Sequence, residues 1–273
     1  MRRGLSRRLE PMEYSFEHGI DHCGYDGIAP ILYVGGRVTE QDFSERDLSQ
    51  VRGVSISQNG LPKGTSWGDL NLEYLFERLP KIEYLRIHFS GQISLNVLGY
   101  QPQIRTLIID GPKIAKCTLP PLASVQRAEV RWDDDWTRDL LGPSVTDLTL
   151  RRAKSEDLVY LSHLSNLAKL SIHHSRTLTS LRGIEELRRL STVGLHDCPN
   201  IATLGIRASC PGPAELTCGC CKSLEDLTDI KNFGNLHKLC VYGGPKIVSL
   251  PAVMRQRGVD LELRATEASW IEP

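Results

Sequence analysis

Apolar residues return at a fixed interval along this sequence, and this periodicity restricts the fold more than any other feature. Four stretches show it most clearly: they start at Leu167, Leu190, Pro213 and Leu236, each 23 residues after the one before. In all four, the fourth, sixth, twelfth and fifteenth residues are apolar, counting cysteine among them. A repeat of this length cannot bury its apolar face alone, so the pattern predicts repeats that stack side by side and share a core.

The fourth and sixth residues of each repeat form an apolar pair that can be followed over most of the chain. The further pairs are Leu32/Val34, Val54/Ile56, Leu85/Ile87, Leu107/Ile109, Ala128/Val130, Leu148/Leu150 and Leu261/Leu263. From Leu85 onward the steps are 20 to 23 residues, whereas the step from Val54 to Leu85 is 31 residues. The longer step contains WGDLNLEYLFERL, whose apolar residues have helical spacing. The sequence therefore predicts about ten short parallel strands and one repeat with a true helix.

The pattern L-x-x-L-x-L-x-x-(N/C)-x-x-L-x-x-L, followed over residues 29–265, resembles the leucine-rich repeat family. Its spacing is similar to the cysteine-containing and plant immune-receptor classes. The resemblance implies an α/β solenoid shaped like a horseshoe, with a concave parallel sheet of about ten strands and short helical or 3₁₀ turns on the convex side. Residues 1–28 are then expected to form an N-terminal cap and residues 266–273 a C-terminal tail or cap, within one domain.

At the ninth position of a repeat, this family has asparagine or cysteine, whose side chain satisfies the backbone of the turn. Here the position is occupied by Asn59, Ser90, Pro112, Asp133, Ala153, Ser175, Cys198, Cys221 and Gly244. Pro112, Ala153 and Gly244 cannot supply that hydrogen bond, so local irregularity is expected at these three turns.

The charge balance argues against bulk electrostatic binding. Lys and Arg together number 33, and so do Asp and Glu, which disfavours nucleic acid or an anionic membrane as a partner. No run of 18 apolar residues is present, so no membrane-spanning helix is expected. The first residues are basic and lack the apolar stretch of a secretory signal. Eight cysteines without such a signal indicate thiols in a reducing, cytoplasmic location.

The segment AELTCGCCKSLEDL, residues 214–227, places three cysteines within four positions. The repeat register puts Cys218 in the core and Cys198 and Cys221 at the ninth position, whereas Cys220 and Cys240 face the solvent. A zinc site needs about four converging ligands, commonly from paired elements, and this cluster has no partner pair. The pattern favours structural thiols over a metal site or a disulfide.

No catalytic motif is assembled in the sequence. Phosphate loops, dinucleotide fingerprints, H-E-x-x-H and G-x-S-x-G are all missing. His173, His174 and His196 fall on neighbouring strands and could hold a metal, which keeps a metal-dependent enzyme open as a remote alternative. The acidic segment WDDDW, residues 132–136, lacks the ligand spacing of a calcium loop. No cofactor is expected, and the protein is predicted not to be an enzyme.

The outward residues of the strands are the predicted binding surface. Their centre is rich in arginine, histidine and tryptophan, and arginine and tryptophan are enriched at the hot spots of protein interfaces. The predicted partner-binding residues are Tyr84, Arg86, His88, Arg127, Arg131, Trp132, Arg151, Arg152, His173, His174, His196 and Tyr242. The plainer alternative is that arginines and carboxylates of adjacent strands merely neutralise one another.

The resemblance to leucine-rich repeats implies a protein-recognition module that binds its partner through the concave face, and the arginines of that face predict a partner with an acidic surface. Such a module would suit an inhibitor or a toxin-neutralising immunity protein, an interpretation based on architecture alone. The alternative is a substrate- or ligand-recognition component of a larger sensing or ubiquitin-ligase complex. The sequence identifies neither the partner nor the oligomeric state.

Overall fold

The repeats form one long sheet in the computed structural model of the chain. The structure describes residues 19–21, 28, 30–35, 48–58, 64, 66–79, 81–96, 98, 103–111, 113–114, 120–131, 140–244, 247–264 and 268–271. The strands are β1 (Gly19–Asp21), β2 (Ile31–Val34), β3 (Gly53–Ser57), β4 (Tyr84–His88), β5 (Gln92–Ile93), β6 (Thr106–Asp110), β7 (Lys113–Ile114), β8 (Arg127–Arg131), β9 (Asp147–Arg151), β10 (Lys169–His173), β11 (Thr192–His196), β12 (Glu215–Gly219), β13 (Lys238–Tyr242), β14 (Ile247–Pro251), β15 (Asp260–Arg264) and β16 (Ala268–Ile271).

Twelve of these strands make the main sheet, in the order β1-β2-β3-β4-β6-β8-β9-β10-β11-β12-β13-β15. All neighbours pair in parallel except β1, which runs antiparallel to β2. The predicted parallel sheet is confirmed, with eleven parallel strands where about ten were expected. Two small parallel pairs, β5 with β7 and β14 with β16, lie outside the main sheet.

The apolar pairs of the repeats occupy matching positions on consecutive strands. Leu148 of β9 pairs with Leu170 of β10, which pairs with Val193 of β11, and the sixth-position residues pair in the same way. Strands β8 and β9 alternate half-buried and buried residues along their length. The core is therefore built from aligned rows of Leu, Ile and Val on one side of the sheet, as the period predicted.

Helices are few and short in the described part of the chain. The α-helices are Leu72–Arg78 and Val253–Gln256, and the 3₁₀ helices are Trp67–Leu70, Val159–Leu161, Ile184–Glu186 and Thr228–Asn232. The helix Leu72–Arg78 lies in the 31-residue step and buries Leu72, Leu75 and Phe76, which confirms the prediction of a helix there. Among the described residues, no helix has the length and apolar character needed to span a bilayer.

The ninth position forms a row of buried side chains that bond to backbone carbonyls. Ser175 is fully buried, and its hydroxyl donates to the carbonyl of Ala153 over 2.7 Å. The thiols of Cys198 and Cys221 donate to Ile172 and Leu195, each at 3.8 Å. These contacts bind each turn to the preceding repeat, and they agree with the predicted positions of both cysteines.

The residue after each of several strands adopts a left-handed backbone conformation, which the repeat pattern does not predict. Arg152, His174, Asp197 and Cys220 have φ of 54°, 56°, 58° and 54°. Each donates its backbone N–H to the carbonyl of the last residue of the next strand, at 2.8 to 2.9 Å. Each pair of neighbouring strands thus gains one more backbone hydrogen bond at its end. The chain then turns away from the sheet. This turn positions the side chains of the eighth and tenth residues at the ends of the strands.

Candidate functional site

The seventh residues of the repeats form one row across the sheet, opposite the core. Arg131 pairs in register with Arg151, Arg151 with His173, and His173 with His196. The row continues through Gly219 to Tyr242. We call the outward face of strands β8 to β13 the outer face. The structure aligns these predicted residues on it, while their contact with a partner stays a prediction.

The middle of the outer face is a cluster of rings. The imidazoles of His173 and His196 stack with their centroids 4.7 Å apart and their planes 21° from parallel. Nδ1 of His196 lies 3.0 Å from the hydroxyl of Tyr242, two strands away. Glycines make room for this contact: a Cβ on Gly219 would lie 2.4 Å from the ring of Tyr242, and one on Gly194 would lie 2.9 Å from Nε2 of His196. The rings therefore lie flat against the sheet.

The arginines beside this cluster differ in their partners. Nε of Arg151 donates to a carboxylate oxygen of Glu129 over 2.6 Å, across β8 and β9. Nε of Arg131, by contrast, is buried and has no hydrogen-bond partner among the described residues. Mutual neutralisation, the plainer alternative from the sequence, thus accounts for Arg151 but not for Arg131. An unpaired buried donor is costly, so the Nε of Arg131 is an exception that the pairing of charges across the strands does not explain.

Two of the predicted residues at the eighth position, Arg152 and His174, do not belong to the outer face. Arg152 and His174 follow the strand ends in left-handed conformation, and His174 contacts the carboxylate of Asp197 at 2.8 Å. Together with Arg131 they line an open cavity of about 690 Å³. The structure therefore divides the predicted set into a row on the sheet and a cavity at its rim.

Three basic residues of this cavity were missed by sequence reasoning. Lys154, Arg176 and Lys222 also line it, together with Ala153, Thr177 and Pro199. A signal was available, because the three stand at the tenth position of successive repeats, where Pro199 is the one interruption. The repeat pattern predicts outward side chains only up to the eighth residue, where the strand ends. The tenth residue lies in the turn that follows, so its side chain was not expected at this surface.

Tyr84 needs correction, since its side chain is not exposed. It is only 2% accessible and packs with Ile28, Ile31 and Ile108 in a second apolar cluster. Ile28 lies between β1 and β2, and it packs against outward residues of the first strands. A tyrosine packed in this way cannot contact a partner without rearrangement. The correction applies to Tyr84 alone, since Arg86 on the same strand is exposed.

The other predicted residues of the first repeats remain accessible. Arg86 is exposed, and His88 is half-buried with Nδ1 3.6 Å from the carboxylate of Asp110. Arg127 is half-buried at the start of β8. Trp132, predicted to be central, lies outside the described residues, as does the rest of WDDDW.

The histidines do not assemble a metal site in the described part of the chain. No group of three or more His, Cys, Asp or Glu side chains is placed there to hold a metal ion. Burial and the nearby charges of His196 and Arg151 lower the pKa of His173 from its usual value. Burial and the charge of His174 lower the pKa of His196. Both rings are therefore neutral at neutral pH, which suits stacking and hydrogen bonding.

The lowered pKa values predict that the protein loses stability in mild acid. The unfolded chain binds protons on these histidines near pH 6.5, before the folded chain does. Stability is thus complete above about pH 6.5 and falls as the pH drops through the window below it. The melting temperature should be lower at about pH 5.5 than at about pH 7.5. This difference in melting temperature should shrink when His173 and His196 are both replaced by glutamine. The control His237→Gln, at an exposed position, should keep the wild-type difference.

An equal acid sensitivity in wild type and double variant would contradict this prediction. Two further charged groups change the pKa values of His173 and His196. Glu129 raises the pKa of His173 and so opposes the shift, while His174 lowers the pKa of both rings. NMR titration of the imidazole signals would locate the effect, with midpoints below about 6.5 expected for both residues.

The geometry yields a row of neutral rings and arginines on the sheet and a basic cavity at its rim. Comparison of the sequence with protein-family models and with curated proteins finds no match.

Proposed function

We propose that this chain is a leucine-rich repeat solenoid that binds a partner protein through its outer face. The observation that supports the proposal is the row Arg131, Arg151, His173, His196 and Tyr242, aligned over five of six consecutive parallel strands. These are large, half-exposed side chains that combine apolar area with polar atoms. Arginine and tyrosine are among the residues that contribute most of the free energy at protein interfaces.

The chemistry of the row indicates what kind of surface fits it. The stacked imidazoles and the ring of Tyr242 offer a flat, mainly apolar contact at the centre. Arg131 offers the charge of its half-buried side chain, and Arg151 can exchange or share its carboxylate partner. A partner with an apolar patch beside an acidic side chain is the complementary surface. The proposed partner is therefore acidic where it meets β8 and β9.

Within this proposal, a stand-alone inhibitor or immunity protein acts by occupying its partner's surface. The same outer face would serve a recognition component of a larger assembly. The two differ in what happens to the bound protein: masking in the first case and delivery to another activity in the second. A metal-dependent activity gains no support, because the three histidines stack or pair with other groups in the described residues.

The test is capture of a partner by the tagged full chain, followed by affinity measurement with the purified pair. Arg151→Glu should weaken binding by at least about 1 kcal/mol, because it reverses the charge that meets the partner and repels Glu129. The matched control is Arg189→Glu, which makes the same change at an exposed position before β11. Melting temperature should change little in Arg189→Glu and fall modestly in Arg151→Glu, which loses the contact with Glu129, and both variants should stay folded because neither side chain lies in the core.

The outcome that refutes the proposal is equally specific. If Arg151→Glu and His173→Ala both bind as the wild type does, the outer face is not the interface. Equal weakening by Arg151→Glu and Arg189→Glu would indicate diffuse charge attraction instead of docking on the row.

A further inference from the structure

The cavity at the rim of the sheet concentrates positive charge in a chain that is neutral overall. Five cationic side chains line it, Arg131, Arg152, Lys154, Arg176 and Lys222, and they come from four different repeats. Among the described lining residues the one carboxylate is Asp197, and it already contacts His174 at 2.8 Å. Over the whole sequence the charges balance, with 33 basic and 33 acidic residues. The excess is therefore local to the cavity.

Four of these cations are not neutralised by other described residues. Within that part of the chain, the side chains of Arg131, Arg152, Arg176 and Lys222 make no ion pair and no hydrogen bond. Among the described residues, the carboxylate of Glu129, on the same strand as Arg131, is already bound to Arg151. Like charges gathered without counter-charges repel one another. An anion in the cavity would relieve that repulsion and supply acceptors for these donors.

The dimensions indicate an anion with several charged groups. The lining runs from Arg131 at the end of β8 to Lys222 after β12, a distance of four strand spacings, or roughly 19 Å between the backbones. Side chains reach inward from both ends, yet a single phosphate or carboxylate would touch only some of them. The cavity volume of about 690 Å³ lies in the range of small-molecule sites. Three of the five cations are arginines, whose planar fork fits phosphate oxygens in pairs.

We propose that this cavity binds a small ligand carrying several phosphate groups, of the oligophosphate class. Arg131, Arg152 and Arg176 bind phosphate oxygens through their guanidinium groups, and Lys154 and Lys222 add point charges at the side. The turn N–H groups of Arg152 and His174 are already donated to the next strands, so binding rests on side chains. The site adjoins the outer face, with which it shares Arg131, and its proposed ligand does not depend on the proposed protein partner.

Titration calorimetry of the full chain tests the proposal, with inorganic tripolyphosphate as the probe and orthophosphate at equal ionic strength as the comparison. Tripolyphosphate should bind with one-to-one stoichiometry and at least about tenfold more tightly than orthophosphate. Arg176→Glu and Lys222→Glu should each weaken it by at least about tenfold, since each removes a cation and adds repulsion. Arg189→Glu, the same charge change outside the cavity, should stay within about twofold of wild type.

Several outcomes would overturn the proposal. One is absence of tripolyphosphate binding to the folded wild type. Another is an equal loss in Arg189→Glu and Arg176→Glu, which would mean unspecific attraction. A single-stranded oligonucleotide that binds more tightly than tripolyphosphate and is lost with the same variants would assign the cavity to nucleic acid instead. If Arg176→Glu fails to fold by circular dichroism, Arg176→Gln removes the charge with less disturbance and takes its place, with the same weakening expected. No protein partner enters this assay, so its failure would leave the proposed function untouched.

Discussion

Gly183→Ala is expected to lower the free energy of unfolding by about 3 kcal/mol or more. Gly183 has φ of 97° and precedes the 3₁₀ helix Ile184–Glu186. A Cβ at this position would lie 2.5 Å from the backbone nitrogen of Val159 and 2.7 Å from the carbonyl carbon of Leu158. Backbone atoms of the preceding repeat cannot move aside as a side-chain tip can, so neighbouring repeats would be forced apart.

Gly91→Ala is the matched control, because it separates crowding from backbone strain. Gly91 has φ of 100°, nearly the same as Gly183, but a Cβ added to it would meet no atom of a non-adjacent residue within 4 Å. Gly91→Ala should therefore lower the free energy of unfolding only through the strain of a left-handed backbone, by about 1–2 kcal/mol. Chemical denaturation of the two variants measures the difference. Equal losses of stability would show that the repeats joined at Leu158 and Gly183 do not pack as closely as the structure indicates.

Cys218→Ser should destabilise the protein by about 1–3 kcal/mol, because it buries a hydroxyl without an assured partner. Cys218 is 1% accessible and pairs in register with Leu195 and Val241, which lie on the core side of the neighbouring strands. Burial raises the pKa of its thiol to about 12, so the group stays neutral and behaves as a small apolar side chain. In the native protein, iodoacetamide should label this thiol more slowly than the half-buried thiol of Cys240.

Cys240→Ser provides the comparison for stability. Cys240 lies one strand away, on the opposite face of the sheet, and is half-buried. The same substitution there leaves the hydroxyl within reach of water, so little change is expected in a thermal melt. If Cys218→Ser were neutral while Cys240→Ser destabilised the protein, the assignment of the two faces would be reversed. The six described cysteines are free thiols, so neither substitution removes a disulfide.

The central site shows where reasoning from the sequence succeeded. The period placed Arg131, Arg151, His173, His196 and Tyr242 at the seventh position, and the structure aligns them in one row. This was predictable because the buried apolar pair at the fourth and sixth positions fixes the register of each strand, although the repeats differ in length. The seventh residue of each repeat is thereby brought to the same height on the sheet.

Burial by distant segments was not predictable in this way. The periodicity places Tyr84 on the outward face, and nothing in its own repeat indicates that Ile28 and Ile31 pack against it. The same holds for the ring cluster, where Gly194 and Gly219 leave the space that His196 and Tyr242 fill. These contacts join residues of different repeats, and their side-chain directions are settled only by packing.

The sequence by itself determined the parallel sheet, its core positions, the helix in the long step and the buried places of Cys218 and Cys221. All of these follow from a period of apolar residues, which acts along the chain and needs no knowledge of distant contacts. Only the tertiary structure decided the left-handed turns at Arg152 and His174 and the cavity that they open. A positive φ at a non-glycine residue cannot be recognised from the residue type. A cavity forms only where side chains from several repeats lie close together, which the order of residues along the chain does not show.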